Sequence, residues 1–193
     1  MKKAVIVSVG TLVTCLLLCV GLFQAVVYGC LPWECAPQKA FQALDLDLPA
    51  DLFPPGATVN SLSRLSEGGG TIENGLKSVF WGNHGSGIAN YEVLRFPSAR
   101  QATEIFTLEK RAFADKATKE VWKKPSVLTF ASHTADEFFI GCGDWSDYRC
   151  GMIVRYDEYI LEFNAVIDPE MTYQRFEGII RYIDKQISDR LSR

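Results

Sequence analysis

Three hydrophobic periodicities succeed one another along this chain, and each predicts a different element. Residues 4–28 are predominantly apolar, and twenty-five positions pass without a charged side chain behind Lys2 and Lys3. At about 1.5 Å per residue a helix of that length reaches roughly 37 Å, more than the ~30 Å hydrocarbon layer of a bilayer. From residue 76 a period of two takes over and predicts strands over 76–81, 87–96, 127–131, 137–142, 151–156 and 159–167. In the last of these Tyr159, Leu161, Phe163, Ala165 and Ile167 share one face, while Ile160, Glu162, Asn164 and Val166 share the other. One face is therefore expected to be buried and the other polar.

A helical period appears twice. Ser98, with Gln101 three residues on, predicts a capped helix start, followed by a stripe through Ala102, Ile105, Phe106, Ala112 and Phe113 and a stop at Pro125. Lys116, Lys119, Lys123 and Lys124 load the end of this helix, as its dipole favours. The second helix is expected to be capped by Asp168, with Pro169 in its first position and a stripe of Phe176, Ile179, Ile180, Ile183, Ile187 and Leu191. The order ββαββββα predicts an α+β fold: an N-terminal transmembrane helix, then one small domain of about six antiparallel strands with both helices packed on one face. The chain shows no internal repeat and no motif specific to a known family.

Composition divides the chain into a signal anchor or lipoprotein signal (1–29), a Pro-rich acidic tether (30–57) and an extracytoplasmic domain (58–193). The tether holds Pro32, Pro37, Pro49, Pro54 and Pro55, five of the eight prolines, and is expected to dock partly through Leu48, Leu52 and Phe53. Net charge is −3, and residues 58–193 carry 17 basic against 19 acidic side chains. That balance lacks the basic footprint a nucleic-acid partner requires. The lysines ahead of the apolar segment, with no basic residue after it until Lys39, predict a cytoplasmic N-terminus and a C-terminal domain outside.

Cysteine spacing agrees with that compartment. Cys142 and Cys150 are expected to close a short disulfide, and Cys30 and Cys35 a second. The alternative for Cys30 is lipidation, because Val27-Tyr28-Gly29-Cys30 resembles a lipoprotein cleavage site, with Tyr28 where a small residue is usual. Cys15 and Cys19 lie inside the apolar segment and act there as small hydrophobes. No Cys-x-x-Cys spacing is present, so no metal and no cofactor are expected.

Three polar stretches next to aromatic residues are candidates for chemistry. Residues 81–87 suit a tight turn, the competing reading being a ligand-gripping loop with Trp81 as a platform and His84 as a pH-sensitive donor. Ser132-His133-Thr134-Ala135-Asp136 collects the residue types of a triad, but neighbours in sequence seldom converge, and turn chemistry accounts for them. Residues 144–149, between the paired cysteines, suit a stapled hairpin with Trp145 buried, the competing reading being a recognition hot spot that displays Trp145, Tyr148 and Arg149. Asp144 and Asp147 are too few for calcium, and Gly68-Gly69-Gly70 lacks the Lys-Ser/Thr ending of a phosphate loop. The expected function is a membrane-anchored binding or interaction domain, held by residues 4–28, that meets an unknown protein or small-molecule ligand and has no catalytic site. The alternatives are a cell-surface hydrolase using His84 or His133, and a structural subunit of an envelope complex. Gly10 and Gly21 are too far apart to support the last as a helix-pairing motif.

Overall fold

The computed structural model describes residues 13–23, 26, 29–31, 33–37, 39–65, 70–115 and 122–192, except for the side chains of His84 and residues 112–115. Residues 4–12, most of the glycine loop, and Lys116 and Lys119 lie outside these. Residues 13–23 are helical, and their large apolar side chains, from Val13 to Phe23, are exposed. Among the described residues no helix is long and apolar enough to cross a membrane.

The domain is α+β. Its elements are β1 (Thr58–Val59), β2 (Glu73–Trp81), β3 (Gly87–Arg95), α1 (Ala99–Asp115), β4 (Glu137–Trp145), β5 (Asp147–Tyr156), β6 (Tyr159–Val166) and α2 (Tyr173–Leu191). The six strands form one sheet in the order β1-β2-β3-β6-β5-β4, with every pairing antiparallel. Hairpins join β2 to β3, β4 to β5 and β5 to β6, and β6 enters the middle of the sheet by pairing with β3.

The helices do not share a face, contrary to the expectation. Alternation along β6 sends Tyr159, Leu161, Phe163 and Ala165 into the core under α2, with Val79, Tyr91, Met152, Phe176 and Ile183. Ile160 and Ile153 point the opposite way and pack under α1 with Phe96, Ala102, Phe106 and Trp122. Every residue of β6 is buried, because this central strand is covered on both sides. Ile160, expected on the polar face of its strand, and Ile153 are the seat of α1.

Residues 30–57 are more than the expected spacer with partial docking. Phe41, Ala43, Leu46, Leu48 and Phe53 are buried in the main core, and Phe41 stacks on Tyr159 with ring centroids 5.4 Å apart. The stretch is a strap between α2 and the sheet. Lys77, buried on β2, places its ammonium 2.6 Å from Asp47 and 2.7 Å from the Leu48 carbonyl. Arg175 and Arg190 of α2 donate to the carbonyls of Phe53 and Asp45. Cys30 and Cys35 are joined by a disulfide beside the N-terminal end of α1, where the Ala36 amide donates to the Pro97 carbonyl at 2.6 Å.

Two further expectations fail for local reasons. Residues 127–131 are not a strand. Leu128 and Phe130 are buried, but the Thr129 amide and hydroxyl donate to Glu177 of α2, so the segment docks on a helix instead of pairing with a strand. Nor does Asp168 cap a helix. The cap of α2 is Thr172, whose hydroxyl accepts the Arg175 amide. The Asp168 carboxylate instead accepts the amides of Glu170 and Met171, closing a turn before the helix, and the indole N–H of Trp81 at 2.7 Å. Ser98 does cap α1, accepting the Gln101 amide at 3.2 Å.

Candidate binding face

Alternation along the strands generates the site. The side chains of β3 and β6 that point away from the main core include Asn90 and Glu92, and Glu162 and Asn164. The β3–β6 register sets Asn90 opposite Asn164 and Glu92 opposite Glu162, so like residues face each other in adjacent rows. Two carboxylates directly opposite each other are disfavoured in a sheet of ordinary surface strands. Ser78 of β2 extends the asparagine row by donating to Asn90 Oδ1 at 3.0 Å. On the other side Arg149 of β5 donates from Nη1 to Asn164 Oδ1 at 3.3 Å. The result is a polar ladder across four strands, Ser78–Asn90–Asn164–Arg149, on the α1 side of the sheet. Glu162, Asn164 and Arg149 are buried.

Arg149 is only 9% exposed, and its Nε has no hydrogen-bond partner. Burial lowers its pKa, opposed by the charge of Asp147. Its guanidinium lies 5.2 Å from the ring centroid of Trp145, which is 37% exposed and forms the rim. The paired residue on β4 is Gly143, and Trp122 packs so closely on it that an added β-carbon would lie 2.3 Å from the indole. The disulfide between Cys142 and Cys150, directly opposite in the β4–β5 register, fixes this hairpin immediately below Arg149.

The residues read from the sequence as one hot spot are divided between two faces. Trp145 and Arg149 stand on the ladder side. Tyr148 points to the other side, where it accepts a hydrogen bond from the Tyr173 hydroxyl at 3.0 Å. Burial, that bond and Asp144 push the Tyr148 phenol up to about 12. Asp144 pairs with Tyr148 and Asp147 with Trp145, so the two aspartates point to opposite faces.

Trp81 is not an exposed platform: it is 2% exposed, folded over Gly87 and held by Asp168. His84 belongs to the turn Asn83–Gly85, which joins β2 to β3 and is flanked by Gly82 and Gly85 at positive φ. His133 precedes β4 and lies near the opposite end of the strands, since Glu137 pairs with Arg155, which pairs with Ile160, which pairs with Leu94. Ser132 donates to Asp184 and accepts the amides of Thr134 and Ala135. That is a turn tied to α2, and Asp184 also accepts the Tyr156 hydroxyl.

Asn90, Glu92, Glu162 and Asn164 were visible in the sequence as the polar phase of two alternating strands. Their meeting depends on the non-sequential pairing of β3 with β6, which no local signal encodes. Among the described residues no group of three or more His, Cys, Asp or Glu is placed to hold a metal ion.

No protein-family model matches the chain. No curated protein matches it either. Among solved structures it is similar to the crystal structure of the extracellular domain of PknH from Mycobacterium tuberculosis. The identity is 14%, with 62% of this chain and 66% of that chain covered and a TM-score of 0.41. This chain thus spans just under two thirds of that structure.

Proposed function

We propose that the chain is a non-catalytic binding domain on the extracytoplasmic side of a membrane, held there by residues 4–28, with the polar ladder as its ligand-binding face. The observation that carries the reading is the ladder itself. Natural folds rarely bury a guanidinium, a carboxylate and a carboxamide on a sheet face without a use for them, because each loses hydration that the protein must replace. Two disulfides support the compartment, since such bonds persist where the environment is oxidising.

The placement of the face fits the same reading. Residues 29–36 meet the domain beside Pro97, at the Arg95 end of β3, whereas Arg149 shares a row with Ile88 at the other end. Seven residues of strand separate the two, roughly 24 Å. A domain anchored through residues 4–28 therefore turns the Arg149 end of the ladder away from the bilayer. Catalysis at His133 gains no support from its surroundings, since the neighbouring Ser132 hydroxyl is engaged by its own turn and by Asp184.

The test is thermal unfolding of the full chain in mild detergent against a panel of small polar envelope compounds, with Asn90→Ala and Asn164→Ala in parallel. A compound that raises the midpoint of the native chain, and raises it much less in both variants, supports the reading. A panel without effect, or stabilisation equal in the variants, overturns it.

A further inference from the structure

Resting on the ladder as a ligand site, we propose that Arg149 is its anion-recognising group, taking an oxyanion (a carboxylate or a phosphate) of a soluble ligand. Two arginines are buried among the described residues, and they are equipped differently. Arg95 has two carboxylates, Glu73 at 2.7 Å and Glu158 at 3.2 Å, and a backbone carbonyl, Pro37, at 2.7 Å. Arg149 has no carboxylate within ion-pair distance among the described residues. Its hydrogen bond there goes to a neutral carboxamide, and Nε is left without a partner.

Taking a cation out of water is costly unless a counter-charge and hydrogen bonds compensate. The face of Trp145 offsets part of that cost. An oxyanion would offset the rest, because the planar guanidinium presents paired donors that match a carboxylate or phosphate edge. Asp147 is exposed at the hairpin tip and opposes the effect of burial on Arg149 through space. Trp145 gives the ligand's apolar part a surface to lie on. A lipid headgroup carries the same phosphate chemistry, but the row of Arg149 lies at the strand ends remote from residues 29–36, which favours a solute.

The experiment is a titration of the full chain in zwitterionic detergent, followed by 15N–1H correlation spectra at the Arg149 Nε–H and the Trp145 indole N–H. The probes are sodium benzoate and inorganic phosphate, with sodium chloride at matched ionic strength as control. The expected result is a saturable shift of both signals with benzoate, phosphate or both, and none with chloride. Arg149→Lys keeps the charge but loses the fork, and Asn164→Asp supplies an internal carboxylate. Each should weaken the response at Trp145 at least tenfold. Nanodiscs of phosphatidylcholine, with and without phosphatidylglycerol, separate the sources, and the Arg149 signal should be the same in both.

A response to phosphatidylglycerol alone would overturn the solute assignment. No response to either anion, or variants that titrate like the native chain, would overturn the role of Arg149. In that event, a shift of the Asn90 and Asn164 side-chain amides with glucose would leave the binding face standing without its anion contact. Silence there as well would remove the face itself.

Discussion

Gly87 carries no side chain because Trp81 lies across it: a β-carbon there would fall 2.0 Å from the indole nitrogen. Gly87→Ala should therefore push the indole off its hydrogen bond to Asp168. We expect a loss of about 1–3 kcal/mol and a red shift of tryptophan emission, measured by urea unfolding followed by fluorescence. A second residue-scale test concerns the buried ammonium of Lys77. Asp47→Ala strands that charge against a single carbonyl and should cost about 3 kcal/mol, whereas Lys77→Met, which removes the charge with it, should cost less. Equal losses in the two variants would mean that the pair acts through packing alone. At this scale the sequence was a fair guide to residue type and a poor one to role. Trp81 was legible as an aromatic beside a turn. Its burial was not, because it depends on Asp168, eighty-seven positions away.

The strap and the two-sided sheet belong to the scale of elements. A spacer between membrane and domain would tolerate the loss of Phe41, but a strap buried against Tyr159 would not. Phe41→Ala should lower stability by about 3–5 kcal/mol in chemical unfolding of the full chain. Strands with strong local periods were legible from the sequence: β3 and β6 lie within a residue of where the alternation put them, and β2, β4 and β5 run three or four residues longer at one end. Residues 127–131 alternate too, but the Thr129 amide goes to Glu177 of α2, a partner that periodicity cannot reveal. The start of α2 was misplaced because Asp168 offers a strong cap yet spends its oxygens on the turn before Thr172. The separation of the helices onto opposite faces rested on two isoleucines, Ile153 and Ile160, among polar neighbours. The candidate face was half legible. Its residues showed as polar alternation, and their juxtaposition waited on the β3–β6 pairing.

At the scale of the whole molecule, buried phenols set a limit at high pH. Burial raises Tyr91, Tyr156 and Tyr159 above the ordinary value of 10.0, and partial burial with the Tyr173 hydrogen bond raises Tyr148 to about 12. Above pH 10 the unfolded chain loses phenolic protons that the folded chain keeps, so stability falls as pH rises, while below pH 10 these groups contribute no pH dependence. Urea midpoints should be level between pH 8 and 9.5 and then fall steeply towards pH 12. On the proposed reading the domain stands outside the membrane barrier at the end of a retained apolar segment. Two disulfides beside two free cysteines make that claim measurable in one experiment: intact mass of the membrane-extracted chain, denatured and alkylated without reduction. The expected result is an intact N-terminus and two alkylations, on Cys15 and Cys19. Six alkylations, or a chain beginning at a lipid-bearing Cys30, would contradict it.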